Sequence, residues 1–297
     1  MKLQLSVIIP AYNAEATLSV LLDSLEKQTF KDFEIIVVDD CSQDATAAIA
    51  QTRNLQVISI PENRGPAFAR NAGARNAVGE ILVFTDSDCC VEPGWLHNIH
   101  KEFSTCKNTD AIMGKLKLSP SNLLGNSISA LGFPAGGSIG FEKIWKVEHN
   151  GYTESLSTCN CALRKDIFWK IGGFDTSFPY AGGEDSLLAY HLVNSDFRIK
   201  YCPNVIVYHD ARDSFTGFIK WQFRRGISSY IFSTKIANKK SFYSLRIWSS
   251  LNIIKYHFSS RKFPLVISLL GLSYLTQIIG YLFGKTHRGI YEKRTDN

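Results

Sequence analysis

The chain has 297 residues, 45% of them hydrophobic, which is ample for one large domain with an appendage. Its formal charge of +6 conceals a split: residues 1–210 hold 18 Lys and Arg against 24 Asp and Glu, and residues 211–297 hold 15 against 3. Seven cysteines, an odd number without a C-x-x-C pair, lack zinc spacing and fit free thiols in a reducing cytoplasm.

Residues 1–13 are expected to carry no signal peptide, because Lys2, Gln4 and a first strand occupy them. That strand, Leu5 to Ile9, is apolar, β-branched and stopped by Pro10. Residues 14–28 place Leu18, Leu21, Leu22 and Leu25 three and four apart, which predicts a helix with one buried face. A second strand, Phe33 to Val38, runs into Asp39-Asp40, and a third covers Leu55–Ile60 before Pro61. A fourth, residues 80–84, ends in Thr85-Asp86-Ser87-Asp88. Nearly continuous apolar strands alternating with helices predict an α/β fold: a mostly parallel central sheet with helices on both faces. Ligands bind such sheets beyond the carboxyl ends of the strands, where Pro10, Tyr12, Asp39-Asp40 and the two later aspartates converge.

Two carboxylates one residue apart repel each other unless a positive charge joins them. A hard divalent cation, Mg²⁺ or Mn²⁺, completed by a phosphorylated ligand, answers that need. The plainer alternative is a pair of solvated aspartates, one of them capping a helix started near Pro93.

Downstream, the nearly uncharged Leu118–Phe141 segment, with Gly125, Gly132, Gly136, Gly137 and Gly140, reads as a loop or lid. Residues 159–164 read as a strand. Gly182-Gly183-Glu184-Asp185 precedes a helix-like stretch from Ser186 to Asn194. Val205 to Tyr208 alternates as a strand, and His209 follows it. The basic last third interleaves aromatics such as Trp221, Phe223, Tyr230 and Trp248. Nucleic acid is not the expected partner, because residues 263–284 contain no charge and are long enough to cross a bilayer. Arg261-Lys262 on one side and Lys285, Arg288, Lys293 and Arg294 on the other oppose spanning by the positive-inside tendency. The expected arrangement is a segment lying in the cytoplasmic leaflet beside anionic headgroups. The other reading is a helix buried in a homodimer.

The motifs together resemble the inverting family 2 glycosyltransferases of the GT-A fold. The matching text is S-V-I-I-P-A-Y-N-A (6–14), Q-T-F-K-D-F-E-I-I-V-V-D-D-C-S-Q-D (28–44), N-R-G-P-A-F-A-R-N-A-G (63–73), A-V-G-E-I-L-V-F-T-D-S-D (77–88), G-G-F-D (172–175), G-G-E-D (182–185) and V-Y-H (207–209). The resemblance implies a nucleotide diphosphate sugar donor, a divalent cation (Mn²⁺ or Mg²⁺), and a saccharide or lipid-linked acceptor in cell-surface polysaccharide or glycoconjugate synthesis. It implies that Asp40 accepts from the base edge while Pro10 and Tyr12 frame the base. It makes Asp39 structural and leaves Arg70 to meet either the nucleotide or a neighbouring carboxylate. Asp88 becomes the metal ligand, with Asp86, Ser87 and His209 beside the metal, ribose or diphosphate. Asp185 becomes the catalytic base and Glu184 its neighbour.

Trp221 to Gly226 matches only part of the Q-x-x-R-W signature of processive relatives, since Gly226 stands where tryptophan would; single-sugar transfer is expected. The expected organisation is a GT-A domain over 1–210, divided into a nucleotide-sugar half (1–110) and an acceptor half (111–210). A helical, membrane-associating extension covers 211–297. The expected location is the inner face of the cell membrane, peripheral or anchored. Two other classes compete: a sugar nucleotidyltransferase, which lacks its basic glycine-rich loop here, and a catalytically silent nucleotide-sugar-binding or membrane-scaffold protein.

Overall fold

The computed structural model describes residues 5–106 and 108–289, so Lys2, Gln4, Lys293 and Arg294 lie outside the described residues. The first elements are β1 (Leu5–Ala11), α1 (Leu18–Glu26), β2 (Phe33–Asp39), α2 (Thr46–Gln51), β3 (Gln56–Ser59) and α3 (Pro66–Asn76). Then come β4 (Ile81–Phe84), β5 (Cys89–Val91), α4 (Trp95–Thr105), β6 (Ala111–Leu118), α5 (Leu123–Ser129), a 3₁₀ turn (Gly137–Ile139) and α6 (Phe141–Ile144). β7 (Tyr152–Thr153), β8 (Cys161–Arg164), α7 (Lys165–Lys170), α8 (Glu184–Asn194) and β9 (Ile199–His209) follow. Three long helices come last: α9 (Phe215–Lys235), α10 (Lys239–His257) and α11 (Phe263–Thr286).

The strands form one sheet in the order β3-β2-β1-β4-β8-β6-β9-β5, with β7 also on β9. β3, β2, β1 and β4 are parallel. β8 runs antiparallel between β4 and β6, β6 and β9 are parallel again, and β5 closes the edge antiparallel to β9. The expected halves at 1–110 and 111–210 therefore share a single sheet, since β5 of the first pairs with β9 of the second.

The apolar pattern explains the layers. Leu5, Val7, Ile8 and Ile9 of β1 are fully buried, and so are the four α1 leucines. Each such side chain contributes about 1.5–3 kcal/mol on burial. Gly73 lets α3 lie close on the sheet, because a Cβ there would meet the Ile8 side chain at 2.6 Å.

Three expectations change. The glycine-rich 118–141 segment is not all loop: Asn122 caps α5 by accepting from the Gly125 N–H at 2.8 Å. Neither Asp86 nor Asp88 caps α4, whose N-cap is Gly94. The helical extension is packed onto the domain rather than appended. Ile128, Leu131, Phe218, Val266 and Leu269 form one shared core, and Phe178, Leu187, Ile227 and Ile231 another.

α9 and α11 approach backbone to backbone. A Cβ on Gly226 would lie 2.2 Å from the Gln277 carbonyl oxygen, and one on Gly280 would lie 2.1 Å from that of Phe223. Between the helices, Gln277 Nε2 and Ser273 Oγ both donate to Gln222 Oε1, at 2.6 and 3.0 Å.

Candidate active site

The carboxyl ends of β1 and β2 form one rim. The Asp40 N–H donates to the Ala11 carbonyl at 2.8 Å, which fixes Asp40 beside the loop that follows Pro10. That loop is tied to the next: the Asn13 N–H donates to Ser42 Oγ, and the Gln43 N–H donates to Asn13 Oδ1. Tyr12 stands 51% exposed at its tip. Asp40 is buried, and its two oxygens accept from the backbone N–H groups of Arg64 and Gly65, each at 2.8 Å. It therefore holds the turn into α3. Asp39 accepts from the Ser42 N–H at 3.2 Å, a structural role.

The centre of the site is Arg70 on α3. Its side chain is only 2% exposed and bridges two carboxylates: Nη2 to Asp86 Oδ1 at 2.6 Å, and Nη1 to Glu184 Oε1 at 3.0 Å. Burial alone would lower its pKa, but Asp86 and Glu184 hold the guanidinium charged, above its ordinary value. Of its two expected partners, Arg70 meets the carboxylates in this structure.

Glu184 and Asp185 open α8. Gly182 and Gly183 precede them at φ +105° and +119°, a conformation that suits glycine and lets both carboxylates meet neighbouring backbone amides. Glu184 Oε2 accepts from the Gly182 N–H at 2.7 Å, and Asp185 Oδ1 accepts from Gly183 and Ser186 at 3.2 and 2.7 Å. Burial, then the Asp185 charge, push Glu184 up to about 7. Asp185 is half-buried and faces the cavity described below.

Ser87 and Asp88 turn the chain from β4 into β5. Because β5 pairs with β9 in a register that sets Cys89 opposite His209, His209 arrives beside Asp88, with Nε2 3.3 Å from Asp88 Oδ2. His209 Nδ1 lies 2.7 Å from the Asp210 carbonyl, which can only accept. Nδ1 therefore carries the proton, and in the neutral ring Nε2 offers a lone pair for a cation. The ligand atoms of Asp88, Cys89 and His209 lie within 4.8 Å of one another. Burial pushes the Cys89 thiol well up, so it stays protonated, and a carboxylate–imidazole pair is the fitting donor set for a divalent cation.

A cavity of about 460 Å³ extends from Asp86, Glu184 and Asp185 to α9, α10 and α11. Arg212, Trp221, Arg225 and Arg246 also line it. Sequence reasoning marked the partial Q-x-x-R-W match over Trp221 to Gly226 but missed Arg212, Arg246 and the cavity. These residues meet only through long-range helix packing, which leaves no local pattern.

The comparisons agree with this architecture. The family model described as glycosyl transferase family 2 matches residues 6–172. An uncharacterized glycosyltransferase of Haemophilus influenzae is 32% identical over 186 residues, covering 62% of this chain and 60% of that protein. Glycosyltransferase AglE of Haloferax volcanii is 29% identical over 234 residues, covering 74% of this chain and 71% of that protein. Among solved structures, the mannosyltransferase PcManGT of Pyrobaculum calidifontis, in complex with GDP-Man and Mn²⁺, superposes with TM-score 0.60 at 18% identity, covering 99% and 88% of the two chains. Staphylococcus aureus TarS 1-349 in complex with UDP-GlcNAc gives 0.58 at 20% identity, covering 96% and 92%. At those identities the structures speak for the fold, GT-A. The matched sequence carries the rim at Asp40, Arg70 and both strand-end aspartates, and with it the assignment: the chain belongs to glycosyl transferase family 2.

Proposed function

We propose that the chain is an inverting glycosyltransferase that moves one sugar from a nucleotide diphosphate sugar to a saccharide or lipid-linked acceptor in cell-surface polysaccharide or glycoconjugate synthesis. The observation that carries this reading is the Arg70 bridge, which joins the strand-end carboxylate Asp86 to the α8 carboxylate Glu184 at the mouth of one cavity. Donor-side and acceptor-side groups are thereby fixed on a shared cation.

Pro10, Tyr12 and Asp40 receive the base, and Asp86 and Ser87 the ribose and sugar. Asp88 and His209 hold Mn²⁺ or Mg²⁺, which when bound supplies positive charge to the departing diphosphate. Asp185 takes the proton of the acceptor hydroxyl as that oxygen attacks the anomeric carbon; the bond to the diphosphate oxygen breaks on the opposite face, giving inversion. Glu184 and Arg70 position these groups.

The chain works at the cytoplasmic face of a membrane. α11 buries one side on α9 and exposes Leu275, Ile278, Ile279 and Leu282, while α10 exposes Ile247 and Leu251. Lys255, Arg261, Lys262 and Lys285 surround these faces with positive charge, which attracts anionic lipid. Because α11 is pinned along α9, lying on the leaflet suits the fold better than spanning it.

A donor panel scored by nucleotide release tests the reading. The expected result is release from one nucleotide sugar, abolished by EDTA and restored by Mn²⁺ or Mg²⁺. Full turnover in chelator removes the metal from the mechanism, and silence with every donor refutes the transferase.

A further inference from the structure

β5 and β9 bring a third metal-binding atom to the pair of Asp88 and His209. Residues directly opposite in an antiparallel ladder carry their side chains on one face, about 4.5–5.5 Å apart at Cβ. Cys89 stands opposite His209, so its sulfur shares the face of the imidazole. The turn before β5 closes as the Cys89 N–H donates to the Asp86 carbonyl at 3.1 Å, and it brings Asp88 to the same histidine. The ligand atoms of Asp88, Cys89 and His209 all lie within 4.8 Å of one another, with Cys89 and His209 buried. The Cys89 thiol is a weak donor that meets the Cys159 carbonyl only at 4.0 Å, so little is lost when the sulfur turns to a metal.

One oxygen, one nitrogen and one sulfur are not the donor set of a hard ion. Mg²⁺ and Mn²⁺ suit carboxylate, phosphate and water, and leave a thiol unused. Zn²⁺ takes all three kinds of atom, tetrahedrally, and stands above Mn²⁺ in affinity for such sites. Two ligands about 2.0–2.1 Å from a tetrahedral ion stand roughly 3.3 Å apart. Asp88 Oδ2 and His209 Nε2 are 3.3 Å apart already. A sulfur at about 2.3 Å belongs roughly 3.6 Å from each, so Cys89 closes by roughly 1 Å. The Asp210 carbonyl on Nδ1 keeps Nε2 turned toward the ion.

We propose that Asp88, Cys89 and His209 form a thiophilic site that binds Zn²⁺ in place of Mn²⁺ or Mg²⁺ and thereby shuts off the donor site. On binding, the Cys89 sulfur bonds to zinc and its proton passes to water; no electron moves. A hard ion held by Asp88 and His209 alone keeps about four of six places for phosphate oxygens and water. Zinc with three protein ligands keeps one, too few for both phosphates of a nucleotide diphosphate. The shut-off rests on the transferase reading; the zinc site does not.

The full chain, stripped with EDTA, exchanged into buffer and given one equivalent of Zn²⁺, is measured by X-ray absorption at the zinc edge. The spectrum should show one sulfur at about 2.3 Å among nitrogen and oxygen at about 2.0–2.1 Å. A zinc without a sulfur neighbour overturns the proposal, and this measurement needs no variant. Cd²⁺ at the same site should give a sulfur-to-metal charge-transfer absorption. Cys89→Ala should abolish it and weaken Zn²⁺ by at least about tenfold, or about 1.4 kcal/mol, while Mn²⁺ affinity, read from the paramagnetic resonance of the free ion, changes by less. Equal weakening of Zn²⁺ and Mn²⁺ overturns the proposal, as does an absorption that survives Cys89→Ala and vanishes in Cys159→Ala.

UDP binding in Mn²⁺, measured by calorimetry, should fall when an equivalent of Zn²⁺ is added. Unchanged UDP binding with zinc on the sulfur overturns the shut-off. If zinc binds through Cys89 yet no donor releases nucleotide in Mn²⁺ alone, the transferase reading is what fails and the zinc site stands.

Discussion

Replacing Arg70 by methionine keeps most of the side-chain volume and deletes the charge that holds Asp86 and Glu184. The two bridges differ in worth. Asp86 is 30% exposed, so water screens its pair, which is worth about 1 kcal/mol or less. Glu184 is 1% exposed, and without Arg70 it keeps backbone N–H donors such as that of Gly182 but no cation, while Asp185 repels it. Breaking a buried ion pair from one side costs about 3–5 kcal/mol, so Arg70→Met at pH 8 should lose that amount. For a chain of this size the melting temperature should fall by roughly 6–10 °C, at roughly 2 °C per kcal/mol. Combining it with Glu184→Gln removes the orphaned charge as well, and the double variant should recover more than half of the loss. Urea denaturation with an unchanged slope measures all three proteins, and the double-mutant cycle gives the coupling. A loss below about 1 kcal/mol for Arg70→Met, or a double variant equal to the sum of the singles, refutes the bridge as the organiser of the site.

Asp185→Asn should lower kcat by at least about 10²-fold with nucleotide affinity little changed; near-normal kcat would exclude Asp185 as the base. Asp88→Ala should lose both donor affinity and rate, measured as UDP binding and turnover with Mn²⁺, and unchanged UDP affinity would remove Asp88 from the cation site. The raised Glu184 pKa stabilises the folded chain fully below the ordinary glutamate value and is lost as pH rises through about 7. Glu184→Gln should therefore flatten the fall of melting temperature between about pH 4.5 and 7, and an unaltered slope would assign that titration elsewhere. Leu275→Glu with Ile279→Glu charges the exposed face of α11 without touching its packed side. The variant should leave anionic liposomes for the supernatant at unchanged melting temperature, whereas full retention would exclude this face as the membrane contact.

The strand ends and the start of α8 were legible because their signals are local. An apolar run closing on Asp86-Ser87-Asp88, or two glycines before Glu184-Asp185, can be read within a dozen residues. α1 was equally plain from its four leucines. What joins these pieces was not legible. Arg70 and Glu184 are 114 positions apart, and the sequence left Arg70 to a nucleotide or a carboxylate. His209 reaches Asp88 through β5, whose three residues are too few to show a period. α5 was hidden by glycines that discourage helix, and its cap at Asn122 overrides them locally. The arginine wall depends on how α9, α10 and α11 pack, and Gly226 and Gly280 have meaning only once the two helices are seen in contact.

The long sequence separation within the site also sets the order in which it can come into being. Arg70 and Asp86 meet as soon as the first four parallel strands form, but Glu184 and His209 belong to segments made much later. Contacts of such high separation close slowly, because the intervening loop must lose its freedom first. During synthesis the N-terminal sheet can therefore fold as a stable nucleus with an incomplete rim, while Arg70 holds one carboxylate and waits for the second. The Asp88–His209 pair, completed only when β9 docks β5, is the product of one of the longest-range pairings in the sheet. A ribosome-bound chain ending before residue 184 lacks Glu184, Asp185 and His209, so it has one carboxylate for Arg70 and no imidazole beside Asp88.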